Sequence, residues 1–331
     1  MEHAIEAEGL RKSYPKGVTA LDGLSFGVAP GSVFALLGPN GAGKSTAVKI
    51  LTTLAKPDAG TARVAGLDVI EDADRVRRTI GVVAQGSAVD VQATGRENLR
   101  LQGQLYEKWG PPHRPRRAAL EERAQELLER FGLADAADRI TRGFSGGMQR
   151  RLDIAMALVH DPAVLFLDEP TTGLDPEVRA DMWAEIAQLA GERQKTVLLT
   201  THYLEEADQL AERVAIVDRG KVVAQGTPEE LKRELRGDAI HVDLDREYNG
   251  RVTSALTPLD AVRDVTVDGR VLRARADDGG RAVPLVLQAL ESHGVGVASV
   301  RVARPSLDDV YLKYTGRTFD AAEAEQAEAK R

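Results

Sequence analysis

The sequence predicts an α/β protein with a mostly parallel central sheet, and three observations support this fold class. An apolar run at Val33–Leu37 leads into a glycine-rich loop and then into a helical pattern. Further apolar runs at Val164–Leu167, Thr196–Thr200 and Val214–Val217 alternate with helical stretches, which is typical of a parallel sheet with helices on its faces. A shift in composition near residue 236 indicates a second, smaller domain.

The parts that flank the central sheet follow from their own patterns. Residues 1–30 alternate polar and apolar side chains between glycines, which predicts an antiparallel β subdomain. Residues 92–140 place apolar side chains at helical spacing, so we expect a helical subdomain over about residues 92–160. Two adjacent prolines in the segment Gly110–Arg117 cannot continue a helix, which predicts an exposed loop there.

The C-terminal part predicts a small α+β domain over residues 236–316. We expect a strand from Ala239, a hairpin at Asp268-Gly269, a helix over 282–292, a strand over 295–304 and a last helix from Leu307. We assign residues 1–235 to the first domain. Residues 317–331 end in a stretch of only Ala, Glu, Gln, Lys and Arg, and we predict a flexible tail that is either a frayed helix or disordered.

Composition excludes several classes of function. The chain has 44 Lys+Arg against 51 Asp+Glu, so its net charge indicates no basic surface for nucleic acid. It has no cysteine, which excludes disulfides, thiolate metal sites and a catalytic thiol and fits a reducing cytoplasm. The N-terminus has no signal-peptide pattern, and the apolar runs fall short of the ~20 residues that span a bilayer. We therefore expect any membrane role to depend on a partner.

The glycine-rich loop has the composition of a phosphate-binding loop. Its glycines let backbone N–H groups turn toward phosphate oxygens, Lys44 supplies a cation, and Ser45 offers a hydroxyl to Mg²⁺. A strand precedes it and a helix over Ser45–Thr53 follows, which is the context that this motif requires. Its nine residues are Gly38, Pro39, Asn40, Gly41, Ala42, Gly43, Lys44, Ser45 and Thr46.

Two acids end the apolar strand Val164–Leu167. In a parallel sheet the C-terminal strand ends face the ligand, so Asp168 is placed to hold Mg²⁺ and Glu169 to polarise an attacking water. The alternative is a pair of acids that cap the turn before Pro170. Four buried apolar residues ahead of the acids favour the first interpretation.

A second glycine-rich segment begins another predicted helix. Ser145, Gly146 and Gly147 expose helix N–H groups that suit an anion, although an ordinary helix cap by Ser145 explains the same residues. The order of the three motifs within one domain favours the phosphate interpretation.

With these motifs, residues 4–230 resemble the nucleotide-binding subunit of an ATP-binding-cassette (ABC) transporter, whose fold is a P-loop NTPase ABC cassette. The loop at 38–46 matches the family's Walker A motif and Asp168-Glu169 its Walker B pair. The family signature, usually Leu-Ser-Gly-Gly-Gln, is matched by Ser145, Gly146, Gly147 and Gln149 with Met148 inserted.

The resemblance also gives roles to single residues. It implies that Tyr14 stacks on adenine, Gln85 lies in the glutamine loop, Asp175 in the D-loop and His202 at the switch position. Outside this context Tyr14 reads as a surface side chain, Gln85 as solvated and His202 as structural. The implied catalytic residues are Lys44, Gln85, Glu169 and His202. The implied Mg²⁺ ligands are Ser45, Gln85 and Asp168. The implied ATP contacts are residues 38–46 with Tyr14, Ser145, Gly146, Gly147, Gln149 and Asp175.

Four segments narrow the resemblance to the daunorubicin/doxorubicin-resistance type of drug-export ATPase. They are Thr94–Leu99, Phe144–Leu152, Asp168–Pro176 and Pro305–Arg317. The last of them also reads as an amphipathic helix that packs on its own domain, and both interpretations can hold together. The segment at 110–117 looks longer than is usual in this group.

The resemblance implies an ATP-hydrolysing subunit that powers export of a lipophilic, drug-like compound. Its implied partners are a second copy of itself, with two ATP molecules sandwiched between the copies, and a separate polytopic membrane permease at the cytoplasmic face of the membrane. One alternative is a soluble ABC ATPase on ribosomes or DNA, but such proteins usually have two cassettes or a coiled-coil insertion. Another is a module that senses ATP without hydrolysis, against which Glu169 and His202 argue.

Overall fold

The computed structural model describes residues 3–107, 117–191, 195–235, 237–248 and 251–329. The predicted loop at Gly110–Arg117 lies outside this range except for Arg117, where a helix begins. The chain forms two compact units. The first comprises residues 1–228 and 317–331, and the second comprises residues 229–316.

The elements follow one another along the described chain. The strands are β1 (Ile5–Tyr14), β2 (Val18–Val28), β3 (Val33–Leu37), β4 (Ala59–Val64), β5 (Leu67–Asp68), β6 (Ile80–Val83), β7 (Val164–Asp168), β8 (Thr196–Thr201), β9 (Arg213–Asp218), β10 (Lys221–Gly226), β11 (Asp238–Leu244), β12 (Arg263–Asp268), β13 (Val271–Ala276) and β14 (Val297–Ala303). The helices are α1 (Lys44–Leu51), α2 (Ala73–Thr79), α3 (Gly95–Glu107), α4 (Arg117–Arg130), α5 (Gly146–Ala157), α6 (Pro176–Gly191), α7 (Leu204–Leu210), α8 (Pro228–Arg233), α9 (Arg251–Leu256), α10 (Gly279–Ser292), α11 (Leu307–Thr315) and α12 (Phe319–Ala329).

The central sheet of the first unit has the strand order β10-β9-β3-β8-β7-β6, and every pairing is parallel except that of β10 with β9. All five residues of β3 are buried, as expected for a strand covered on both faces. Leu37 pairs with Thr201, and Thr200 pairs with Asp168, so the C-terminal ends of β3, β8 and β7 lie side by side. The predicted fold class is confirmed, and this alignment of strand ends positions the site.

A second sheet of order β2-β1-β4-β5, antiparallel throughout, packs over α1 and the central sheet. One buried apolar cluster joins both sheets and the helix, and the Phe26 and Phe34 rings stack within it at 5.4 Å. Val48 and Leu51 of α1 belong to the same cluster. The helix that begins at Lys44 is therefore fixed on its apolar side by two sheets.

The helical part of the first unit is built from α3, α4 and α5. Leu99 of α3, Leu127 and Leu128 of α4 and Leu152 of α5 are fully buried. Leu127 and Leu128 are among the positions whose helical spacing predicts this part.

The second unit is a four-stranded antiparallel sheet of order β12-β13-β11-β14. Its chain order β-α-β-β-α-β is that of the ferredoxin-like fold. Ile240, Val242 and Leu244 of β11 face the apolar core, and α9 and α10 contribute to the same core. The hairpin at 268–269, α10, β14 and α11 were predicted, whereas the short helix α9 was not.

The C-terminal segment is helical over most of its described length, which is one of the two alternatives expected for the tail. Residues Phe319–Ala329 form α12, and Phe319 and Ala322 are buried. Arg317 Nη2 lies 2.8 Å from Asp218 Oδ1, and the segment clusters with the first unit. We attribute the order of this Ala- and Glu-rich segment to its two buried apolar residues, Phe319 and Ala322. The second unit also begins at Glu229 rather than at residue 236.

Candidate functional site

The adjacent strand ends bring two hydroxyls to one carboxylate. Ser45, which follows the glycine-rich loop, donates its Oγ proton to Asp168 Oδ1 at 3.1 Å. Thr200 Oγ1 donates to the same oxygen at 2.5 Å. A serine hydroxyl and a carboxylate side by side provide oxygen ligands of the kind that bind Mg²⁺.

The glycine-rich loop can adopt its path only with glycine at particular positions. A Cβ atom at Gly38 would lie 2.2 Å from the Val217 carbonyl oxygen, so no side chain fits there. Gly43 has φ 110° directly before α1, a conformation that favours glycine. The loop therefore keeps its backbone close to whatever binds at the start of α1.

Lys44 extends back along this loop and is almost fully buried. Its Nζ donates to the carbonyl oxygens of Gly38 at 2.6 Å and Pro39 at 3.1 Å. Burial lowers the pKa of Lys44, and the negative charges of Glu169, Asp168 and Glu323 oppose that decrease. The charge of Lys44 therefore lies at the phosphate loop, where it can contact a phosphate oxygen.

Glu169 is buried at the centre of the site. Its Oε1 lies 3.7 Å from Lys44 Nζ and 3.4 Å from His202 Nδ1, and its Oε2 accepts a hydrogen bond from Gln85 Nε2 at 3.2 Å. Contact with the His202 imidazole and the charge of Lys44 lower the pKa of Glu169, against the opposing effect of burial. The carboxylate is consequently ionised near neutral pH and can accept a proton.

The backbone at Glu169 is in the left-handed region, with φ 50°. This conformation is costly for a residue with a side chain, and it persists where the surroundings determine it. The Glu169 N–H donates to both Thr200 O and Thr200 Oγ1 at 3.1 Å. The Glu169 carbonyl accepts from Arg150 Nη2 at 3.2 Å.

The structure thus brings together six of the predicted site residues. They are Lys44, Ser45, Gln85, Asp168, Glu169 and His202. Two further residues join them that sequence reasoning missed, Thr200 and Arg150. Thr200 ends a predicted strand and Arg150 follows a predicted motif, but only the fold reveals their contacts.

The remaining predicted residues make other contacts within the single chain. Ser145 Oγ accepts from the Met148 N–H at 3.3 Å and so caps α5, and Asp175 Oδ1 accepts from the Val178 N–H at 3.0 Å before α6. A Cβ at Gly147 would lie 2.5 Å from Val178 Cγ1. Tyr14 is 37% exposed. Ser145 and Gly146 are also exposed, so the start of α5 is open to another molecule.

Two family models match the chain. The model described as ABC transporter matches residues 21–172, and the model described as ATP-binding protein DrrA1-3-like, C-terminal domain, matches residues 226–315. The daunorubicin resistance ATP-binding protein DrrA3 of Streptomyces coeruleorubidus is 48% identical over 95% of this chain and 96% of its own length.

The chain belongs to the ABC transporter ATP-binding subunits. It is an ATPase and binds ATP, which confirms the predicted family and activity. The daunorubicin/doxorubicin resistance ATP-binding protein DrrA of Streptomyces peucetius is 45% identical over 98% of the chain and 96% of its own length.

Solved structures of ABC cassettes are similar to the first unit. CbiO1 from Clostridium perfringens, part of an ABC transporter complex, aligns with a TM-score of 0.64 and 27% identity over 71% of this chain and 92% of its own. A dimeric ATP-binding cassette in a post-hydrolysis state, bound to ADP and Pi, aligns with a TM-score of 0.60 and 27% identity over 67% of this chain and 98% of its own. Within the described residues of this ATPase, no helix is both long and apolar enough to cross a bilayer.

Proposed function

We propose that this ATPase works with Mg²⁺ as a homodimer at the cytoplasmic face of the membrane. There it powers export of a lipophilic, drug-like compound through a separate permease. The observation that carries this proposal is the convergence of Lys44, Gln85, Glu169 and His202 beside the Ser45–Asp168 pair.

The residues present fit ATP with Mg²⁺. The loop at 38–46 offers backbone N–H groups and Lys44 to the phosphates. Ser45 and Asp168 would hold the metal, with Gln85 close to the same carboxylate cluster. In the described part of the chain no three acidic or histidine side chains form a metal cage. This agrees with Mg²⁺, which usually takes one or two carboxylates and completes its shell with water and phosphate.

Hydrolysis requires a group that orients water and takes its proton. Glu169 is the proposed base, because its buried carboxylate lies at the strand ends beside Lys44, Gln85 and His202. Gln85 Nε2 donates to one oxygen of this carboxylate, and His202 Nδ1 lies 3.4 Å from the other. Mg²⁺ in this site supplies charge stabilisation for the transferred phosphoryl group.

A second copy supplies the other phosphate contact in this proposal. Ser145 and Gly146 are exposed at the start of α5, where free N–H groups and the helix dipole favour an anion. In a head-to-tail pair, this helix start in one protomer faces the phosphate loop of the other. The dimeric ABC cassette similar to the first unit supports this arrangement.

This ATPase has a groove beside α3 that is a candidate docking site for the permease. A cavity of about 400 Å³ is lined by Leu54, Ile80, Val82, Leu105 and Tyr106, with arginines at its rim. Leu54 is 72% exposed and Leu105 50% exposed, so apolar surface faces outward here. We propose that a short amphipathic helix of the permease occupies it.

Cross-linking tests this docking face in a chain that lacks native cysteines. Leu54→Cys and Ser87→Cys should each cross-link to a co-expressed permease in membranes. Lys221→Cys, an exposed position on β10, is the control and should not. Cross-linking only from residue 221 would place the partner elsewhere.

The Glu169→Gln variant tests the catalytic assignment and the dimer together. The amide keeps the shape of the side chain but cannot take a proton, so we expect ATP binding without hydrolysis and an ATP-stabilised dimer. Size-exclusion chromatography with and without ATP measures the dimer. A monomeric variant with unchanged turnover contradicts the proposal.

The proposal of a drug-like cargo rests on relatives that are named for daunorubicin and doxorubicin resistance. Cells that express this ATPase with its permease should retain less of a fluorescent anthracycline than cells with the Glu169→Gln variant. Equal retention would leave the ATPase assignment intact and remove this class of cargo. No observation favours a role on ribosomes or DNA, or ATP sensing without hydrolysis.

A further inference from the structure

One arginine joins the helix that begins at Ser145 to both segments that carry catalytic side chains. Arg150 lies on α5 and is buried, with 8% of its surface exposed. Its guanidinium donates to four backbone carbonyl oxygens, those of Ala84 at 2.7 Å, Asp168 at 3.1 Å, Glu169 at 3.2 Å and Pro170 at 2.7 Å.

The four carbonyls belong to two separate segments of the chain. Ala84 directly precedes Gln85, and the other three residues surround the proposed base Glu169. Asp153, one turn further along α5, accepts a hydrogen bond from the Ala88 N–H at 2.9 Å. Arg150 and Asp153 therefore hold the loop around Gln85 on both sides of that residue.

Arg150 also bears on the unusual backbone at Glu169. Thr200 holds the N–H of this residue, while Arg150 holds its carbonyl and that of Pro170. A left-handed conformation at a residue with a side chain is stable only where its neighbours determine it. Arg150 is one of the groups that do so here, together with Thr200 and the Thr172 N–H, which donates to the Glu169 carbonyl at 3.4 Å.

We infer that Arg150 is a positioning residue for ATP hydrolysis. It aligns Glu169 and Gln85 with each other by fixing the backbones of both segments to α5. Lys44, by contrast, is held by the carbonyls of Gly38 and Pro39, which Arg150 does not touch. Loss of Arg150 should therefore lower turnover with little effect on ATP binding.

The inference has a second part that rests on the proposed function. If Ser145 and Gly146 meet the ATP of the other protomer, then a shift of α5 on dimerisation reaches Gln85 and Glu169 through Arg150. The turnover of the variant should then respond less to dimerisation than the wild-type turnover does.

The test compares Arg150→Met and Arg150→Lys with the matched control Arg123→Met. Arg123 exposes 19% of its side chain, and its Nη2 donates to the Leu158 carbonyl, at the other end of α5. We measure kcat, KM and the Kd of a fluorescent ATP analogue in the full chain, with thermal unfolding for each variant.

We expect Arg150→Met to lose about ten- to hundredfold in kcat, as misplaced catalytic groups do. Its Kd should stay near the wild-type value, Arg150→Lys should recover part of the rate, and Arg123→Met should keep it.

Two results would overturn the inference. One is a kcat for Arg150→Met equal to that of Arg123→Met; the other is a parallel loss of kcat, ATP affinity and stability, which a structural role alone explains. If Arg150→Met does not fold, Asp153→Ala and Asp153→Asn replace it. The amide oxygen in Asp153→Asn can still accept from the Ala88 N–H, so this variant should preserve more of the rate than Asp153→Ala. Glu169→Gln in the same assay separates the two proposals. If it stops hydrolysis while Arg150→Met keeps the wild-type kcat, the proposed function stands and the role of Arg150 fails. If it does not stop hydrolysis, Glu169 is not the base, and its alignment by Arg150 fails with that assignment.

Discussion

Each of the two units has, among its described residues, a buried ion pair with nearly the same nitrogen–oxygen distance. In the first unit Lys44 Nζ lies 3.7 Å from Glu169 Oε1, and in the second Arg275 Nη2 lies 3.8 Å from Asp309 Oδ2. All four side chains are buried, and burial lowers the pKa of both Lys44 and Arg275. Distance, burial and the pKa direction of the cation do not separate the two pairs.

Their neighbours separate them. Asp309 accepts from the N–H and the hydroxyl of Ser306, both at 2.8 Å, in a capping box that starts α11. Arg275 Nη1 donates to the Leu235 carbonyl at 2.6 Å. The hydrogen bonds of this second pair go to backbone groups and to the helix cap, so its role is structural.

In the first unit, further polar side chains contact the carboxylate of the pair directly. Gln85 and His202 approach Glu169, and the Glu169 backbone is strained. Polar groups that converge on a strained backbone at strand ends distinguish a reactive site from a structural one.

The largest effect should come from breaking the pair in the first unit. Lys44→Ala removes the cation that meets the phosphates, and a lost charge-assisted contact costs about 1.5–3 kcal/mol. We expect weaker ATP binding in a fluorescent-nucleotide titration and no measurable turnover. Unchanged affinity and rate would place Lys44 among the structural charges.

Breaking the pair in the second unit should change stability instead. Asp309→Ala leaves Arg275 buried without its partner and removes the capping box, at a cost of about 3 kcal/mol. We expect a lower urea midpoint for the full chain, with ATP turnover at low urea close to that of the wild type. Asp309→Asn, which can still cap α11, should lose less stability. Loss of turnover by a folded Asp309→Ala variant would contradict the contrast between the units.

The half-buried side chain of His160 sharpens the comparison. The His160 ring stacks on Tyr106 with centroids 3.6 Å apart, its Nε2 lies 2.9 Å from the Ile80 carbonyl, and burial lowers the pKa of His160 to about 4. Between that value and 6.5 the unfolded chain binds a proton that the folded chain does not, so stability falls as the pH falls.

We expect His160 to contribute a loss of about 2 kcal/mol in the free energy of unfolding from pH 6.5 to pH 5. His160→Phe keeps the stacking and removes the titration, so its stability should depend less on pH over this range. Urea unfolding of both chains at each pH measures the difference. Identical slopes would show that His160 is protonated equally in the folded and unfolded chains.

The parts of the site that could be predicted from sequence are those set by local chemistry. The glycine-rich loop needs its residues in one run, and Val33–Leu37 is apolar throughout because both faces of β3 are covered. Thr200 and Arg150 reach the site only through strand pairing and helix packing, across 32 and 19 residues of sequence to Asp168 and Glu169. Sequence spacing carries no signal for such contacts.

The elements that sequence missed or left open lack a local pattern. The helix α9 is only six residues long, which is too short for a helical period to be distinctive. The helix α12 lies in a run of Ala and Glu, a composition typical of solvated segments. Its order depends on Phe319 and Ala322, which are buried within the first unit.

The smallest predicted effect concerns this last helix. Glu323 on α12 lies close enough to Lys44 that its charge raises the pKa of that ammonium, and Glu323 Oε1 is buried without a hydrogen-bond partner among the described residues. Because ATP is negatively charged, removing this charge should favour its binding. One charge acting through a partly solvated path corresponds to roughly 0.5–1 kcal/mol, or about two- to fivefold in affinity.

Glu323→Gln should therefore bind a fluorescent ATP analogue more tightly than the wild type, and the gain should shrink as salt is added. Glu325→Gln is the matched control, because Glu325 lies on the same helix, is exposed and contacts Arg317 and Arg219 instead. Equal affinities of both variants at low salt would show that the carboxylate of Glu323 does not act on the phosphate site. Weaker binding by Glu323→Gln alone would mean that α12 supports the loop that holds Lys44, and that its charge matters less than its packing.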